Sequence, residues 1–197
     1  MSVEIKNLTK KYKDITAVDG LSLSIGGGEL FALLGVNGAG KTTTIKMLSC
    51  LCRPTSGDAL LCGVSISEQP QKVKALIGTS PQETAVAPNL SVRENLELIA
   101  GAYGRLSIAM ALVSEPKVLF LDEPTLGLDV IARSELWDVI RSLKGRATVI
   151  LTTHYLEEAR ELSDRIGVMK DGRLLFVGTA NEILKETGES DFEKAFV

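Results

Sequence analysis

The chain has 197 residues, of which 45% are hydrophobic, 24% charged and 5% aromatic, an ordinary composition for a globular domain. Its formal net charge of −3 gives no indication of a surface that binds a polyanion. No apolar run approaches the ~18 residues that a membrane span needs, and the first residues lack the apolar core of a signal peptide. We therefore expect one α/β domain with neither a span nor a signal peptide.

The cysteine and histidine residues do not have the spacing of a metal site. The chain has three cysteines and one histidine, and no CxxC pair occurs. We expect the thiols to be small buried side chains in a reducing compartment. They are Cys50, Cys52 and Cys62.

Short apolar or alternating segments dominate the first eighty residues. They predict strands at residues 3–8, 20–25, 30–35, 57–63 and 75–80. Helical spacing over residues 41–51 predicts a helix directly after a glycine-rich stretch.

Helices and strands alternate in the rest of the chain. Buried strands are predicted at residues 117–122 and 147–153, and a hairpin that turns at Asp171-Gly172 is predicted over residues 165–178. Helices are predicted over residues 91–104, 105–116, 134–144, 155–163 and 179–188. This alternation predicts a mostly parallel sheet covered by helices, and the strands before Gly35 should add an antiparallel layer.

Residues 35–42, GVNGAGKT, fit the pattern G-x-x-x-x-G-K-[S/T] at every fixed position. Glycines let backbone amides turn towards phosphate oxygens, and the following helix adds its positive N-terminal end. Lys41 brings a charge to the β- and γ-phosphates, and the Thr42 hydroxyl can ligate Mg²⁺. The stretch lies between an apolar strand and a helix, which favours a phosphate-binding loop over a chance match.

The apolar residues 118–121 lead directly into Asp122 and Glu123. A carboxylate at the end of a buried strand beside a phosphate loop can hold Mg²⁺. A second carboxylate there can orient and deprotonate a water. His154 follows the next predicted strand and can donate to a γ-phosphate oxygen, although a single histidine is more often structural.

These motifs, in this order, resemble the nucleotide-binding domain of an ABC transporter over nearly the whole chain. The Walker A, Q-loop, Walker B, D-loop and switch-histidine motifs match GVNGAGKTT, SPQE, VLFLDE, PTLGLD and TTH. The segments TTTIKML and DFEKAFV are similar to the exporter-like branch. The resemblance implies a P-loop NTPase core with a mostly parallel sheet and an N-terminal antiparallel layer, as a single domain over residues 1–197.

The resemblance also implies hydrolysis of ATP with Mg²⁺, with Glu123 as the base and with Lys41 and His154 stabilising phosphate charge. Tyr12 is similar to the family's adenine-stacking aromatic, although a surface tyrosine near a strand end remains an alternative. The implied Mg²⁺ ligands are Thr42, Gln82 and Asp122. The implied nucleotide contacts are Tyr12, Val18, Gly35, Asn37, Gly38, Ala39, Gly40, Lys41, Thr42, Thr43, Gln82, Asp122 and His154.

One family motif, close to L-S-G-G-Q, is absent before the helix predicted at residue 105. Gln82 and Asp122 are 122 − 82 = 40 positions apart. In the family that interval also holds a helical subdomain, and its three helices would need about forty more residues. We therefore expect the helical subdomain and signature loop to be largely missing between Gly104 and Arg105, so that residues 1–104 and 105–197 flank an omitted segment.

The resemblance implies two protein partners: an integral membrane transporter subunit and a second nucleotide-binding domain, identical or different. It implies a peripheral location on the cytoplasmic face of the cell membrane, and no nucleic acid is expected. Two alternatives stay open. One is a soluble ABC protein without a membrane partner, and the other is a nucleotide-binding regulator without turnover. The second stands if Gly104 and Arg105 are bonded.

The intact mass of the purified protein tests the omitted segment. We expect a mass above the 21.1 kDa of the printed residues by that of about forty residues. A measured mass of 21.1 kDa would contradict the omission and would make the regulator without turnover the leading interpretation.

Overall fold

The computed structural model describes residues 1–80 and 115–188, together with Lys194. Labels number the described helices and strands in chain order. The helix predicted over residues 91–104 lies outside the described part, as do Gln82 and the Gly104–Arg105 junction. Of the helix predicted over residues 105–116, only residues 115 and 116 are described, and they are not helical.

Four strands form an antiparallel sheet in the order β2-β1-β4-β5. Alternate residues of β2 (Leu21, Leu23 and Ile25) are buried and those between them are exposed, the pattern of a strand with one face on the core. The predicted antiparallel layer is confirmed, but it also includes two strands that follow the glycine loop. The strands are β1 (Val3–Tyr12), β2 (Ile15–Ile25), β4 (Ser56–Leu61) and β5 (Val64–Ser65).

Six strands form the main sheet in the order β10-β9-β3-β8-β7-β6, parallel except for β10 at one edge. The expectation that every strand before Gly35 joins the antiparallel layer is wrong for β3, because its five residues are buried on both faces, as in a central parallel strand. The strands are β3 (Leu30–Leu34), β6 (Ile77–Ser80), β7 (Val118–Asp122), β8 (Thr148–Thr153), β9 (Arg165–Lys170) and β10 (Arg173–Gly178).

The helices are α1 (Lys41–Leu48), α2 (Pro70–Lys74), α3 (Val130–Ser142), α4 (Leu156–Leu162) and α5 (Ala180–Thr187). Helix α3 begins four residues before its predicted start, because the Asp129 side chain caps it by accepting a hydrogen bond from Ala132 N at 2.8 Å. Sequence periodicity missed α2 and β5, which are very short. No helix among the described residues is long and apolar enough to span a membrane.

The main sheet separates two apolar clusters. Phe31 and Leu33 of β3 belong to the cluster shared with the antiparallel sheet, whereas Leu30, Ala32 and Leu34 belong to the one that includes α3 and α4. Both clusters therefore fix β3 in place. The carboxyl ends of β3, β7 and β8 meet at one edge because these strands are parallel.

The predicted C-terminal hairpin is confirmed as β9 and β10, with Asp171 and Gly172 at φ of 50° and 78°. Both values lie in the left-handed region that the two central residues of a type I′ turn require. The turn matters for the site, because Gly172 N donates to Ala39 O in the glycine loop at 3.1 Å.

Candidate active site

The glycine loop connects β3 to α1, and two of its glycines cannot be replaced without moving the backbone. A Cβ at Gly40, where φ is 102°, would lie 2.4 Å from Ala17 O. A Cβ at Gly35 would lie 2.5 Å from Met169 O. Gly38, with φ of 84°, faces open space. The two fixed glycines of the pattern, Gly35 and Gly40, thus let the backbones at Met169 and Ala17 pack closely against the loop.

The loop borders a cavity of about 310 Å³ at the N-terminal end of α1. A helix N-terminus with a loop of small residues suits an anion, because free backbone amides and the helix dipole favour negative charge. The lining residues are Ala17, Asn37, Gly38, Ala39, Gly40, Lys41, Thr42, Thr43 and Glu123.

Lys41 is buried, with 4% of the residue exposed. Its Nζ donates to Gly35 O at 2.7 Å and to Val36 O at 3.2 Å, and it lies 3.5 Å from Glu123 Oε1. Two of the three donors of the ammonium group thus bind carbonyl oxygens, and the ion pair with Glu123 balances the charge. The buried charge is therefore fully partnered within the site.

Asp122 ends β7 and is 5% exposed. Its Oδ1 accepts hydrogen bonds from Thr42 Oγ1, at 3.2 Å, and from Thr152 Oγ1. These bonds tie the start of α1 to the ends of β7 and β8. A carboxylate and a hydroxyl therefore lie together beside the glycine loop.

Glu123 follows Asp122 with φ of 49°, a conformation that is uncommon for a residue with a side chain and that concentrates at functional sites. Its amide donates to Thr152 O at 3.1 Å, which holds this backbone in place. Its carboxylate lies between Lys41 Nζ, at 3.5 Å, and His154 Nδ1, at 3.3 Å. The histidine contact has the distance of an ion pair but not the alignment of a hydrogen bond.

The structure brings most of the sequence-predicted residues together. The loop residues, Asp122, Glu123 and His154 form one group, whereas Tyr12 does not line the cavity. Its hydroxyl contacts Cys52 Sγ at 3.9 Å, and burial, with help from that contact, raises the pKa of Tyr12. Val18 is fully buried beside Gly40.

Sequence reasoning missed two residues of the site. Ala17 lines the cavity through the strand that packs on Gly40, a long-range contact without a local signal. Thr152 binds Asp122 and the backbone of Glu123. Two threonines at the end of an otherwise apolar strand, immediately before His154, are a signal for Thr152 that could have been used.

The chain also resembles known proteins. The profile of the family described as ABC transporter matches residues 18–102, and that of an AAA domain described as a putative AbiEii toxin of a type IV toxin–antitoxin system matches residues 103–158. The daunorubicin resistance ATP-binding protein DrrA3 of Streptomyces coeruleorubidus is 38% identical over 95% of this chain and 71% of its own length. The chain belongs to the ABC transporter ATP-binding family. It is therefore an ABC-type ATPase.

Other relatives agree with this assignment. The Nod factor export ATP-binding protein I of Burkholderia orbicola is 37% identical over 93% of this chain and 72% of its own. The probable multidrug ABC transporter ATP-binding protein YbhF of Escherichia coli is 35% identical over 99% of this chain and 41% of its own.

Solved structures share the fold. An ATP-binding subunit of an ABC transporter has a TM-score of 0.85 at 24% identity and covers 100% of this chain and 98% of its own. A dimeric ATP-binding cassette in a post-hydrolysis state with ADP and Pi has a TM-score of 0.78 at 25% identity. The match covers 90% of this chain and 98% of the cassette. The α/β class predicted from the sequence is confirmed.

The alignment with YbhF has 237 positions, whereas this chain has 197 residues. At least 237 − 197 = 40 aligned positions therefore have no counterpart in this chain. The two family profiles also meet between residues 102 and 103, next to the Gly104–Arg105 junction. Both findings support the expectation of about forty missing residues, which stays a prediction because the junction lies outside the described residues.

Replacing Lys41 by alanine is expected to weaken ATP binding by roughly 10- to 100-fold, the scale of a charge-assisted hydrogen bond of about 1.5–3 kcal/mol. Isothermal titration calorimetry with Mg-ATP measures the change. Lys46→Ala is the matched control, because Lys46 is an exposed lysine on the same helix. Equal affinities of the Lys41 variant and the unmodified protein would refute the phosphate assignment.

Proposed function

We propose that this ATPase powers export through separate membrane subunits. The observation that carries the chemistry is the Glu123 carboxylate, buried between Lys41 and His154 beside the glycine loop. The export role is supported by relatives named for daunorubicin resistance, Nod factor export and multidrug transport.

In this proposal the phosphates of ATP bind at the cavity of the glycine loop, and Lys41 pairs with the β- and γ-phosphates. The contact between Lys41 and Glu123 supports this arrangement, because phosphate oxygens would compete with the carboxylate for the same ammonium group. Binding of the nucleotide would then release the Glu123 carboxylate to accept a proton from water.

We propose Thr42 and Asp122 as protein ligands of Mg²⁺, with Gln82, which lies outside the described residues, as a third. The first two offer hard oxygen atoms only 3.2 Å apart. Two buried carboxylates, Asp122 and Glu123, lie beside one buried ammonium group, that of Lys41. A bound cation would offset the remaining negative charge. Once bound, Mg²⁺ would polarise phosphate oxygens.

A site with few carboxylates suits this ion. Among the described residues, no group of three or more His, Cys, Asp or Glu has the arrangement of a metal site. Magnesium usually keeps several waters and binds one or two carboxylates together with substrate phosphates, so these residues fit it.

Glu123 is the proposed general base. As a water oxygen bonds to the γ-phosphorus, its proton passes to the Glu123 carboxylate, and the bond from phosphorus to the bridging oxygen breaks with its electron pair leaving on ADP. Lys41 and His154 stabilise the charge on the transferred phosphoryl group. The position of the Glu123 carboxylate supports this role, since it lies 3.5 Å from Lys41 Nζ and 3.3 Å from His154 Nδ1.

We propose that the adenine ring stacks on Tyr12 and that Val18 contributes an apolar wall beneath the nucleotide. Tyr12 is 46% exposed, so its ring is accessible to a ligand. Val18 contacts the backbone of the glycine loop and would act mainly by supporting Gly40.

A second nucleotide-binding domain is the proposed partner at the D-loop. The Asp129 side chain caps α3. In this proposal Asp129 therefore has two roles: it fixes the start of the helix at the contact surface, and it touches the partner domain. Around it, Leu126, Val130 and Ile131 are 46%, 78% and 74% exposed. Grouped exposed apolar side chains are typical of protein–protein contact surfaces.

A regulator that binds nucleotide without turnover is the second candidate. The 40 or more aligned positions without a counterpart favour it, because in the family the signature loop of one domain completes the site of the other. A peptide bond between Gly104 and Arg105 in the purified protein would make it the leading candidate.

Replacing Glu123 by glutamine in the full-length protein is expected to keep nucleotide binding but to lower turnover by at least ~10²-fold, the scale for loss of a general base. Phosphate release and calorimetry measure the two quantities separately. Glu161→Gln, on the exposed side of α4, is the control. Near-normal hydrolysis by the Glu123 variant would mean that the base lies elsewhere.

Co-purification from detergent-solubilised membranes tests the export role. The tagged full-length protein is expected to retain an integral membrane protein with several apolar spans of about 20 residues each. Recovery of the protein only with ribosomes or nucleic acid would contradict the proposal and support the soluble alternative.

A further inference from the structure

A group of buried and half-buried side chains with polar atoms lies immediately behind the candidate active site. We call Thr125, Arg133, Trp137, Thr153 and Glu158 the Glu158 cluster. Thr125 and Glu158 have no exposed surface, and Thr153 is 1% exposed. The cluster joins the loop after β7, helix α3, the end of β8 and helix α4.

The Glu158 carboxylate is the centre of the cluster. It accepts a hydrogen bond from Trp137 Nε1 at 3.2 Å. Burial raises the pKa of the Glu158 carboxyl, whereas contacts from the hydroxyls of Thr153 and Thr125 oppose that rise. The positive charge of Arg133 opposes it as well.

The cluster has unmade hydrogen bonds. Among the described residues, four buried side-chain atoms lack a hydrogen-bond partner: Thr125 Oγ1, Arg133 Nε, His154 Nδ1 and Glu158 Oε2. Three of the four belong to the cluster, and the fourth belongs to the histidine beside it. Thr125 nevertheless contacts the Glu158 carboxylate, so this contact lacks the alignment of a full hydrogen bond rather than a partner.

The cluster is joined through the backbone to the two loops that carry the proposed catalytic side chains. Thr125 is two residues after Glu123, and Leu126 N donates to Glu123 O at 3.1 Å across this turn. Thr153 precedes His154, and its hydroxyl accepts from Tyr155 N at 2.9 Å. Arg133 lies 4.9 Å from the centre of the Tyr155 ring. A movement at Glu158 is therefore transmitted to both sides of the Glu123–His154 contact.

We propose that Glu158 is a positioning residue that couples the loop carrying Glu123 and Thr125 to the loop carrying His154. This inference rests on the proposed roles of Glu123 and His154 in hydrolysis. Glu158 contacts neither the nucleotide cavity nor the reacting atoms. It sets the relative position of the two loops because its carboxylate contacts the hydroxyl of Thr125 in one loop and the hydroxyl of Thr153 at the start of the other.

Replacing Glu158 by alanine in the full-length protein tests the coupling. Turnover is expected to fall about tenfold, a typical cost of losing a residue that orients a catalytic group, while the affinity for Mg-ATP stays within about twofold because the cavity is untouched. Glu157→Ala is the matched control, since Glu157 is the exposed neighbour on the same helix. Glu158→Gln keeps the side-chain volume and one oxygen that can accept from Trp137 Nε1, and its amide group can donate to a threonine hydroxyl, so it should restore most of the turnover.

A double-mutant cycle with His154→Ala separates positioning from a general structural effect. If Glu158 acts through His154, Glu158→Ala should lower turnover by less than about twofold in the His154→Ala background. The same tenfold loss in both backgrounds, or normal turnover in Glu158→Ala, would overturn the proposal. If Glu158→Ala fails to fold by circular dichroism, Trp137→Phe removes the donor to Glu158 and should lower turnover by about threefold, with unchanged turnover counting against the proposal.

The same assay distinguishes this inference from the function on which it depends. Loss of turnover in Glu123→Gln with normal turnover in Glu158→Ala would overturn the positioning role alone. Retained turnover in Glu123→Gln would overturn the proposed base and, with it, the coupling.

Discussion

The contact between Lys41 Nζ and Glu123 Oε1, 3.5 Å apart and almost inaccessible to solvent, is the interaction on which the site depends. Removing a lysine and a carboxylate from water costs several kcal/mol per ion. Their mutual attraction offsets this cost only when the geometry is good and further hydrogen bonds satisfy the remaining polar atoms. Here two backbone carbonyl oxygens of the glycine loop accept hydrogen bonds from the lysine ammonium. Because apolar residues in the same place would often be as stable, the charges are better explained by chemistry than by stability.

The fold brings these charges together by a simple geometric constraint. Strands β3, β8 and β7 are adjacent and parallel, so the residues that follow them meet at one edge. The glycine loop follows β3, Asp122 and Glu123 follow the apolar part of β7, and His154 follows β8. The apolar clusters on both faces of the sheet hold the three strands in register, so that packing remote from the site determines its distances.

Local sequence patterns predicted the features whose structure depends on residues close together in the chain. The glycine loop, the apolar strands that end in charged residues and the Asp171-Gly172 turn each have a residue signal within a few positions. Ala17 and the Glu158 cluster had none, because their roles depend on contacts between segments that are far apart in the chain. The early start of α3 depended on Asp129, the last residue of the D-loop motif, whose side chain the structure uses as a helix cap.

The histidine offers the most direct measurement. His154 is the single histidine among these 197 residues, and its imidazole NMR signals are identified as those that disappear in the His154→Ala variant. If Glu123, His154 and the glycine loop form one ATP site, Mg-ATP added to the Glu123→Gln variant should shift those signals until the site is saturated. Adding Lys41→Ala should move the midpoint of that shift to roughly 10- to 100-fold more Mg-ATP. Imidazole signals that stay unchanged at saturating Mg-ATP would contradict the account.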